Sequence, residues 1–181
     1  MTLFLYRKGN SIFKMRSIVV NSTSFFNTRS SSSSSTPTIL KIGEIFRESR
    51  TFSDDDILQY SRLSFDRNPL HFDVDCARSA GFEDRLVPGI LVASLFPRII
   101  ATQFPGALYV SQNLKFQLPI YVGEEIIGEV ETTHIRPFKD KYLAKFVTKC
   151  YKDGGRIVID GDAKALLTSL SLKGESCTRP E

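Results

Sequence analysis

Two side chains able to exchange protons, the carboxylate of Asp66 and the imidazole of His71, stand five residues apart in the chain. Asn68 and Pro69 lie between them and predict the start of a helix, because asparagine is a favoured cap and proline suits the first helical position. Asp66 then precedes the helix and His71 lies in its first turn, so the two side chains can converge on one small site. Such a pair can hold a water or a hydroxyl between an acid and a base. The same residues are also compatible with a capped turn that carries a surface histidine.

Two helices are predicted on either side of this pair. Ser53 and the three aspartates that follow it predict a helix up to about Leu63. A capping hydroxyl and nearby carboxylates stabilise the positive end of the helix dipole. After the pair, a short helix is expected over 70–80.

A third predicted helix is far more apolar. It begins at Gly89, which follows a proline, and almost every residue over 90–104 is apolar. A helix that is apolar on nearly all sides is a buried helix. Pro97 lies inside this run and is expected to remove one of its backbone hydrogen bonds.

The second half of the chain predicts strands. Its hydrophobic pattern has a period of two, which is typical of strands, over 107–118, 124–135, 141–152 and 156–170. A weaker alternation over 39–46 predicts a first strand. This order predicts an α+β fold in which a curved antiparallel sheet wraps around one buried central helix. Because such a sheet leaves an open edge, we expect a homodimer that pairs those edges.

The first 36 residues differ in composition from the rest. They contain five basic residues, a serine run over 30–35 and no carboxylate. Elsewhere 19 basic side chains stand against 20 acidic ones, so the net charge of +4 does not indicate a nucleic-acid partner. A basic, serine-rich and acid-free segment is typical of an organelle transit peptide, and we favour the mitochondrial matrix over the plastid. We therefore expect a transit peptide over 1–36, a domain over 37–172 and a tail over 173–181.

The composition argues against several other classes. With 181 residues, 41% hydrophobic and 24% charged, the chain fits one globular domain. No apolar run approaches the roughly 20 residues of a membrane span, so no membrane partner is expected. The three cysteines, Cys76, Cys150 and Cys177, lack metal-ligand spacing, so we expect neither a disulfide framework nor a metal site, and no cofactor. The second histidine, His134, is interpreted as a surface or structural residue.

Three segments, in matching order, resemble one family. The string from Asp66 to His71 is similar to the hydratase-2 signature of the MaoC-like dehydratases, which have the hot-dog fold. Residues 82–96 resemble the family's entry into its central helix, and residues 109–125 resemble its first long strand and the following turn. The resemblance covers about residues 40–170.

The chain departs from the family pattern at three positions. Phe65 stands where the family usually has glycine, and Pro88 stands where it usually has histidine. Pro97 replaces a serine that is often found in the central helix. We expect the change at Phe65 to tighten the pocket around Asp66 and the change at Pro97 to remove a polar partner from the site.

The resemblance implies reversible dehydration of a (3R)-3-hydroxyacyl thioester to a trans-2-enoyl thioester. It implies that His71 takes the α-proton and that Asp66 helps to expel the hydroxyl. Gly89 would donate its amide to the thioester oxygen, since helix N-termini present unpaired amides, and Asn68 would cap the turn and orient the pair. With the leader, the implied function belongs to mitochondrial type II fatty-acid synthesis, with the acyl group on acyl-carrier protein or on CoA. Candidate contacts for an acidic carrier or a CoA phosphate are Arg78, Arg85 and Arg98.

Three alternatives remain open. An (R)-specific enoyl-CoA hydratase of β-oxidation would use the same chemistry in the other direction, although residues 179–181 do not form a peroxisomal Ser-Lys-Leu type of ending. A non-catalytic hot-dog protein would bind the acyl group without turnover. A thioesterase would hydrolyse the thioester and release a free thiol.

Overall fold

A computed structural model describes residues 38–172 of the chain as one antiparallel sheet with short helices. The strands are β1 (Ile45–Thr51), β2 (Leu108–Phe116), β3 (Glu125–Phe138), β4 (Lys141–Lys152) and β5 (Arg156–Leu167). The helices are α1 (Asp54–Ser64), α2 (Val74–Ser79), α3 (Gly89–Ala93) and α4 (Leu95–Gln103), with 3-10 turns at Pro69–His71 and Asp153–Gly155. The predicted transit peptide, the predicted tail and Cys177 lie outside the described residues, as does residue 37.

The sheet has the order β1-β3-β4-β5-β2, and all its neighbours are antiparallel. The hairpin from β4 to β5 turns through Asp153–Gly155, as the Asp-Gly-Gly sequence predicts. Strands β1 and β2 are the two edges. The predicted α+β architecture is therefore confirmed.

Helix α4 packs against strands β3 and β1 of this sheet. Leu95, Phe96 and Ile99 of α4 are buried, together with Val130 of β3. The helix crosses the sheet at Gly128, where a β-carbon would lie only 3.2 Å from the β-carbon of Leu95. This apolar packing fixes the start of α3 relative to the strands.

The predicted single central helix is in fact two helices, because α3 ends at Ala93 and α4 begins at Leu95. Pro97 explains the break, since it has no amide hydrogen to donate to the carbonyl four residues earlier. The hydroxyl of Ser94, at the junction, donates to the carbonyl of Leu91 at 2.6 Å.

The predicted helix over 70–80 was also wrong as one unit. The chain forms the 3-10 turn and then α2, because Asp73 takes an extended conformation and caps α2. Its side chain accepts hydrogen bonds from the amides of Asp75 and Cys76 at 2.8 and 3.0 Å. Aspartate competes well for this role at a helix start.

The first strand lies later than predicted, over 45–51 rather than 39–46. Its partly buried face carries Phe46 but also Glu48 and Arg50, which hides the hydrophobic alternation. Both charges are paired: Glu48 lies 2.5 Å from Arg98, and Arg50 lies 2.7 Å from Asp56. Strand β3 also continues beyond its predicted end, and β5 stops three residues before its predicted end.

Across residues 38–172, no helix is both long enough and apolar enough to cross a membrane.

Candidate active site

The structure brings Asp66 and His71 together. The Nε2 atom of His71 lies 3.7 Å from Oδ2 of Asp66. The imidazole is 11% exposed, whereas the carboxylate is 39% exposed. This separation is longer than a direct hydrogen bond, and it suits a pair that acts on a group held between its members.

The loop that carries the pair is held by its own hydrogen bonds. The hydroxyl of Ser61, in α1, donates to the main-chain carbonyl of Asp66 at 2.5 Å. The other carboxylate oxygen of Asp66 accepts from the amide of Asn68 at 3.1 Å. Asn68 in turn caps the 3-10 turn, because its side-chain oxygen accepts from the amide of Leu70 at 3.2 Å. One aspartate oxygen is thus engaged by the loop while the other faces the imidazole.

The tautomer of His71 is set by a backbone group. Its Nδ1 atom lies 2.8 Å from the main-chain oxygen of Leu86. A carbonyl oxygen can only accept, so Nδ1 carries a proton in this hydrogen bond. In the neutral ring, Nε2 is then the unprotonated nitrogen, and it is the atom nearest Asp66. The imidazole can therefore act as a base on the side that faces the carboxylate.

Gly89 is the first residue of α3 and lies against Phe116 of β2. Within the described residues its amide donates to no protein acceptor, as expected at a helix start. A β-carbon at this position would lie 2.6 Å from the Phe116 ring. Only glycine fits here without moving that ring.

Three of these residues line one pocket of about 430 Å³. His71, Asn68 and Gly89 line it, and most of the remaining lining is apolar. Asp66 is not in the lining, but its Oδ2 atom lies 3.7 Å from Nε2 of His71, which is. The apolar lining residues are Leu70, Phe82, Leu86, Val87, Ile90, Phe116, Leu118, Pro119, Ile120 and Ile159. A pocket of this size and lining suits an acyl chain attached to a polar reacting group.

The other sequence candidates lie apart from this pocket. His134 is exposed on β3. Arg85 lies 2.6 Å from Asp54, and Arg98 is paired with Glu48, so both guanidinium groups already have carboxylate partners. Arg78 donates weakly to a carbonyl at 3.4 Å. Over residues 38–172, no cluster of three or more histidine, cysteine or acidic side chains is arranged to hold a metal ion.

Phe65 does not tighten the pocket as predicted. It ends α1 in the left-handed region at φ 60°, and the residue is 77% exposed. It lines a separate surface groove together with Phe72 and does not contribute to the pocket around His71.

The thiol of Cys150 is not a candidate nucleophile. Burial raises its pKa to about 12, so the thiol stays protonated at neutral pH. Cys150 is fully buried on β4. The same physical cause raises the pKa of Tyr109 to about 12.

Two contacts of the site were missed from the sequence. Leu86 contributes a main-chain carbonyl, which no side-chain pattern reveals. Phe116 was assigned to a strand, but its contact with Gly89 depends on how that strand crosses the start of α3. Both depend on tertiary structure.

Curated plant relatives are similar over most of the chain. A Solanum lycopersicum protein described as "3-hydroxyacyl-(acyl-carrier-protein) dehydratase FERN, mitochondrial" is 60% identical, over 79% of this chain and 87% of its own length. An Arabidopsis thaliana protein described as "3-hydroxyacyl-(acyl-carrier-protein) dehydratase, mitochondrial" is 52% identical, over 82% of this chain and 90% of its own length.

A solved structure shares the fold. The (R)-hydratase of Aeromonas caviae, described as involved in PHA biosynthesis, is 37% identical with a TM-score of 0.67. The match covers 71% of this chain and 97% of the hydratase. The predicted hot-dog fold is therefore confirmed. The sequence model of the family described as "MaoC like domain" matches residues 40–149. The chain thus belongs to the MaoC-like dehydratase family.

Proposed function

We propose that the protein is a (3R)-3-hydroxyacyl-(acyl-carrier-protein) dehydratase of mitochondrial type II fatty-acid synthesis. The observation that carries this proposal is the Asp66–His71 pair, whose imidazole lines an apolar pocket with the amide of Gly89. The names of the two plant relatives support the choice of reaction and of carrier. The enzyme is then a hydro-lyase.

The reaction needs one proton removed at C2 and one delivered to the hydroxyl at C3. In our proposal Nε2 of His71 removes the C2 proton, and the freed electron pair forms the C2–C3 double bond as the C3–oxygen bond breaks. The hydroxyl leaves as water with a proton supplied by the Asp66–His71 pair, Asp66 assisting its departure. The pair has then gained one proton and lost one, so it ends as it began. Hydration is the same sequence reversed.

The thioester oxygen gains negative charge while the C2 proton leaves. The amide of Gly89 is the first of α3, in the pocket lining, and donates to no protein acceptor within residues 38–172, so it is available to this oxygen. Removing one such donor from an enzyme typically costs about 3–4 kcal/mol of transition-state stabilisation. Asn68 caps the turn and holds Asp66 in place through its own amide.

The carrier is tested by comparing two substrates. (3R)-3-hydroxybutyryl groups on acyl-carrier protein and on CoA are supplied to the purified enzyme, and enoyl thioester formation is followed by its ultraviolet absorbance. We expect turnover with both and a higher kcat/KM with the carrier protein. A preference for CoA would favour an (R)-specific enoyl-CoA hydratase, which is how a 38% identical Aeromonas caviae relative is described. Release of free thiol, or binding without turnover, would contradict the proposal.

We also propose that residues 1–36 are a mitochondrial matrix transit peptide and that residues 37–172 are the catalytic domain. The basic, acid-free composition supports this division, and both plant relatives are described as mitochondrial. A reporter fused to residues 1–40 should enter the matrix, and protein beginning at Thr38 should keep its activity and Tm. Plastid entry alone, or loss of activity on truncation, would contradict the proposal.

A further inference from the structure

A buried ammonium lies beneath the wall of the pocket, and the reaction does not use it. Lys152 is the last residue of β4, and its side chain is only 5% exposed. Its Nζ atom donates to the main-chain oxygen of Pro119 at 2.8 Å and lies 3.3 Å from both carboxylate oxygens of Glu124. It also lies 5.3 Å from the centre of the Tyr121 ring. The ammonium thus contacts both ends of the turn over 119–124.

The partners of Lys152 make further hydrogen bonds that hold this turn in place. One oxygen of Glu124 accepts from the amide of Tyr121 at 2.8 Å. The hydroxyl of Tyr121 accepts from the amide of Glu83 at 3.2 Å. Pro119 and Ile120, within the turn, line the pocket. The ion pair therefore holds one wall of the pocket in place.

The turn then connects to the catalytic histidine through a short backbone pairing. Leu86 and Tyr121 form an antiparallel bridge, and the amide of Val87 donates to the oxygen of Ile120 at 2.8 Å. The oxygen of Leu86 is the group that accepts from Nδ1 of His71. A continuous set of contacts thus runs from Lys152 through the turn to His71.

An ion pair with a buried ammonium is a poor means of gaining stability, since the desolvation of Lys152 offsets much of its attraction to the half-buried Glu124. Apolar side chains of similar size would serve packing as well or better. What the pair supplies instead is a fixed geometry, because a charged donor is held between a carbonyl and a carboxylate. We propose that Lys152, paired with Glu124, is a positioning residue that sets the orientation and tautomer of His71 through the Leu86 carbonyl. This proposal rests on the proposed function only for its kinetic readout.

The test compares K152M, the double variant K152M/E124L and K152R. K152M removes the buried ammonium and leaves the half-buried Glu124 and the carbonyl of Pro119 without their donor, so both Tm and kcat should fall. K152M/E124L removes both charges and should regain most of the lost Tm. Its kcat should remain at least about tenfold low, with a smaller change in KM, because misplaced catalytic groups slow chemistry more than binding. K152R keeps the cation and should recover part of kcat.

The matched control is K145M, which removes an exposed lysine from the same strand and should leave kcat unchanged.

A spectroscopic readout separates positioning from turnover. The chain has only two histidines, so ¹⁵N-histidine NMR of an H134Q background reports His71 alone. We expect the Nδ1–H tautomer with the native pair and a mixture of tautomers in K152M/E124L. A double variant with native kcat and an unmixed Nδ1–H tautomer would overturn the proposal. If the native protein shows no dehydratase activity, the proposed function fails, and the NMR comparison still decides the positioning role. If K152M does not fold, the double variant and K152R decide it.

Discussion

Nδ1 of His71 lies 2.8 Å from the main-chain oxygen of Leu86, fifteen residues further along the chain. The same carbonyl belongs to a segment that pairs with the turn after β2. The ring is therefore held from behind by the fold, while Nε2 faces Asp66 at 3.7 Å. The side chains that carry the proposed chemistry come from one loop, but their geometry depends on a second segment far from it in sequence.

Asp66 and His71 are predicted to act as one unit. Asp66→Asn and His71→Ala should each lower kcat by at least about a hundredfold, the usual scale for a positioned acid or base. The double variant should lose little more than either single variant, because each change already disables the shared proton transfer. Circular dichroism should show native folding for all three proteins. Multiplicative losses in steady-state kinetics would show that the two side chains act independently.

Gly89 is predicted to serve both packing and catalysis. In Gly89→Ala the new β-carbon meets the Phe116 ring at 2.6 Å, but that ring is half-exposed and can move. The loss of stability should therefore be about 1 kcal/mol, the lower end for overpacking. Activity should fall at least about tenfold, because the methyl group stands beside the amide proposed to bind the thioester oxygen.

Phe116→Ala separates these two roles of Gly89. In Gly89→Ala/Phe116→Ala the methyl group has room, so the Tm should match that of Phe116→Ala. Its activity should still be well below that of Phe116→Ala. If the double variant is as active as Phe116→Ala, Gly89 serves only to make room for the ring, and the proposed role of its amide in binding the thioester oxygen is wrong.

Much of the site could be predicted from local chemistry. The cap at Asn68 and the helix start at Gly89 follow from residue preferences over a few positions, and the structure has both. The first strand was misplaced because Glu48 and Arg50 occupy its partly buried face, and their pairing with Arg98 and Asp56 in separate helices is not visible in the local pattern. The Leu86 carbonyl and the Lys152 network were missed for a related reason, since backbone groups and distant ion pairs leave no periodic signal.

Phe65 is predicted to be a site of strain beside Asp66. Its φ of 60° lies in the left-handed region, which costs a residue with a β-carbon roughly 1–2 kcal/mol. Phe65→Gly should raise the free energy of unfolding by about 0.5–1 kcal/mol, after allowing for the greater freedom of glycine in the unfolded chain. Urea titration measures this change. Phe65→Ala is the matched control: it removes the exposed ring but keeps the β-carbon, and it should not stabilise. Equal gains in both variants would assign the effect to the ring instead.

Asp56 is predicted to give the stability a dependence on acid pH. Hydrogen bonds from the Ser53 amide and hydroxyl, with the nearby Arg50 guanidinium, lower the pKa of Asp56 from its ordinary value of 3.8. The unfolded chain therefore binds a proton at Asp56 more readily than the folded chain does. The ionised Asp56 stabilises the folded state above pH 3.8, and this stabilisation is lost as the pH falls through the lower pKa of the folded state.

Asp56→Asn tests this dependence. At neutral pH it should lower the free energy of unfolding by about 1 kcal/mol, the usual worth of a helix cap. The difference from the native protein should shrink as urea titrations are repeated at pH values below 3.8. Ser53→Ala should show a loss of similar size that also shrinks at low pH, because Ser53 is the N-cap and its hydroxyl contacts both the amide and the carboxylate of Asp56. A difference that stays constant with pH would contradict the electrostatic cause.

Edge strand β2 is predicted to pair with a second copy of the chain. Leu108 and Val110 are 57% and 52% exposed on this edge, which has no neighbouring strand on its outer side within residues 38–172. The exposed positions of the other edge, β1, are Ile45, Arg47, Ser49 and Thr51, of which only Ile45 is apolar. Exposed apolar residues on an edge strand favour pairing with another strand, whereas polar and charged residues disfavour it. A two-fold pair through β2 would also place the partner near Phe116 and hence near Gly89.

Leu108→Lys/Val110→Lys should therefore convert a homodimer into a monomer, because like charges would face each other across the paired edges. Light scattering should report about twice the mass of one chain for the native protein and a single-chain mass for the variant. Activity should fall with dimer loss, since the pocket-lining Phe116 ends the same strand.

The matched control is Ile45→Lys, which adds a cation at an exposed position of β1 and should leave both mass and activity unchanged. A native protein that is monomeric and fully active would show that β2 needs no partner and that the site is complete within one chain.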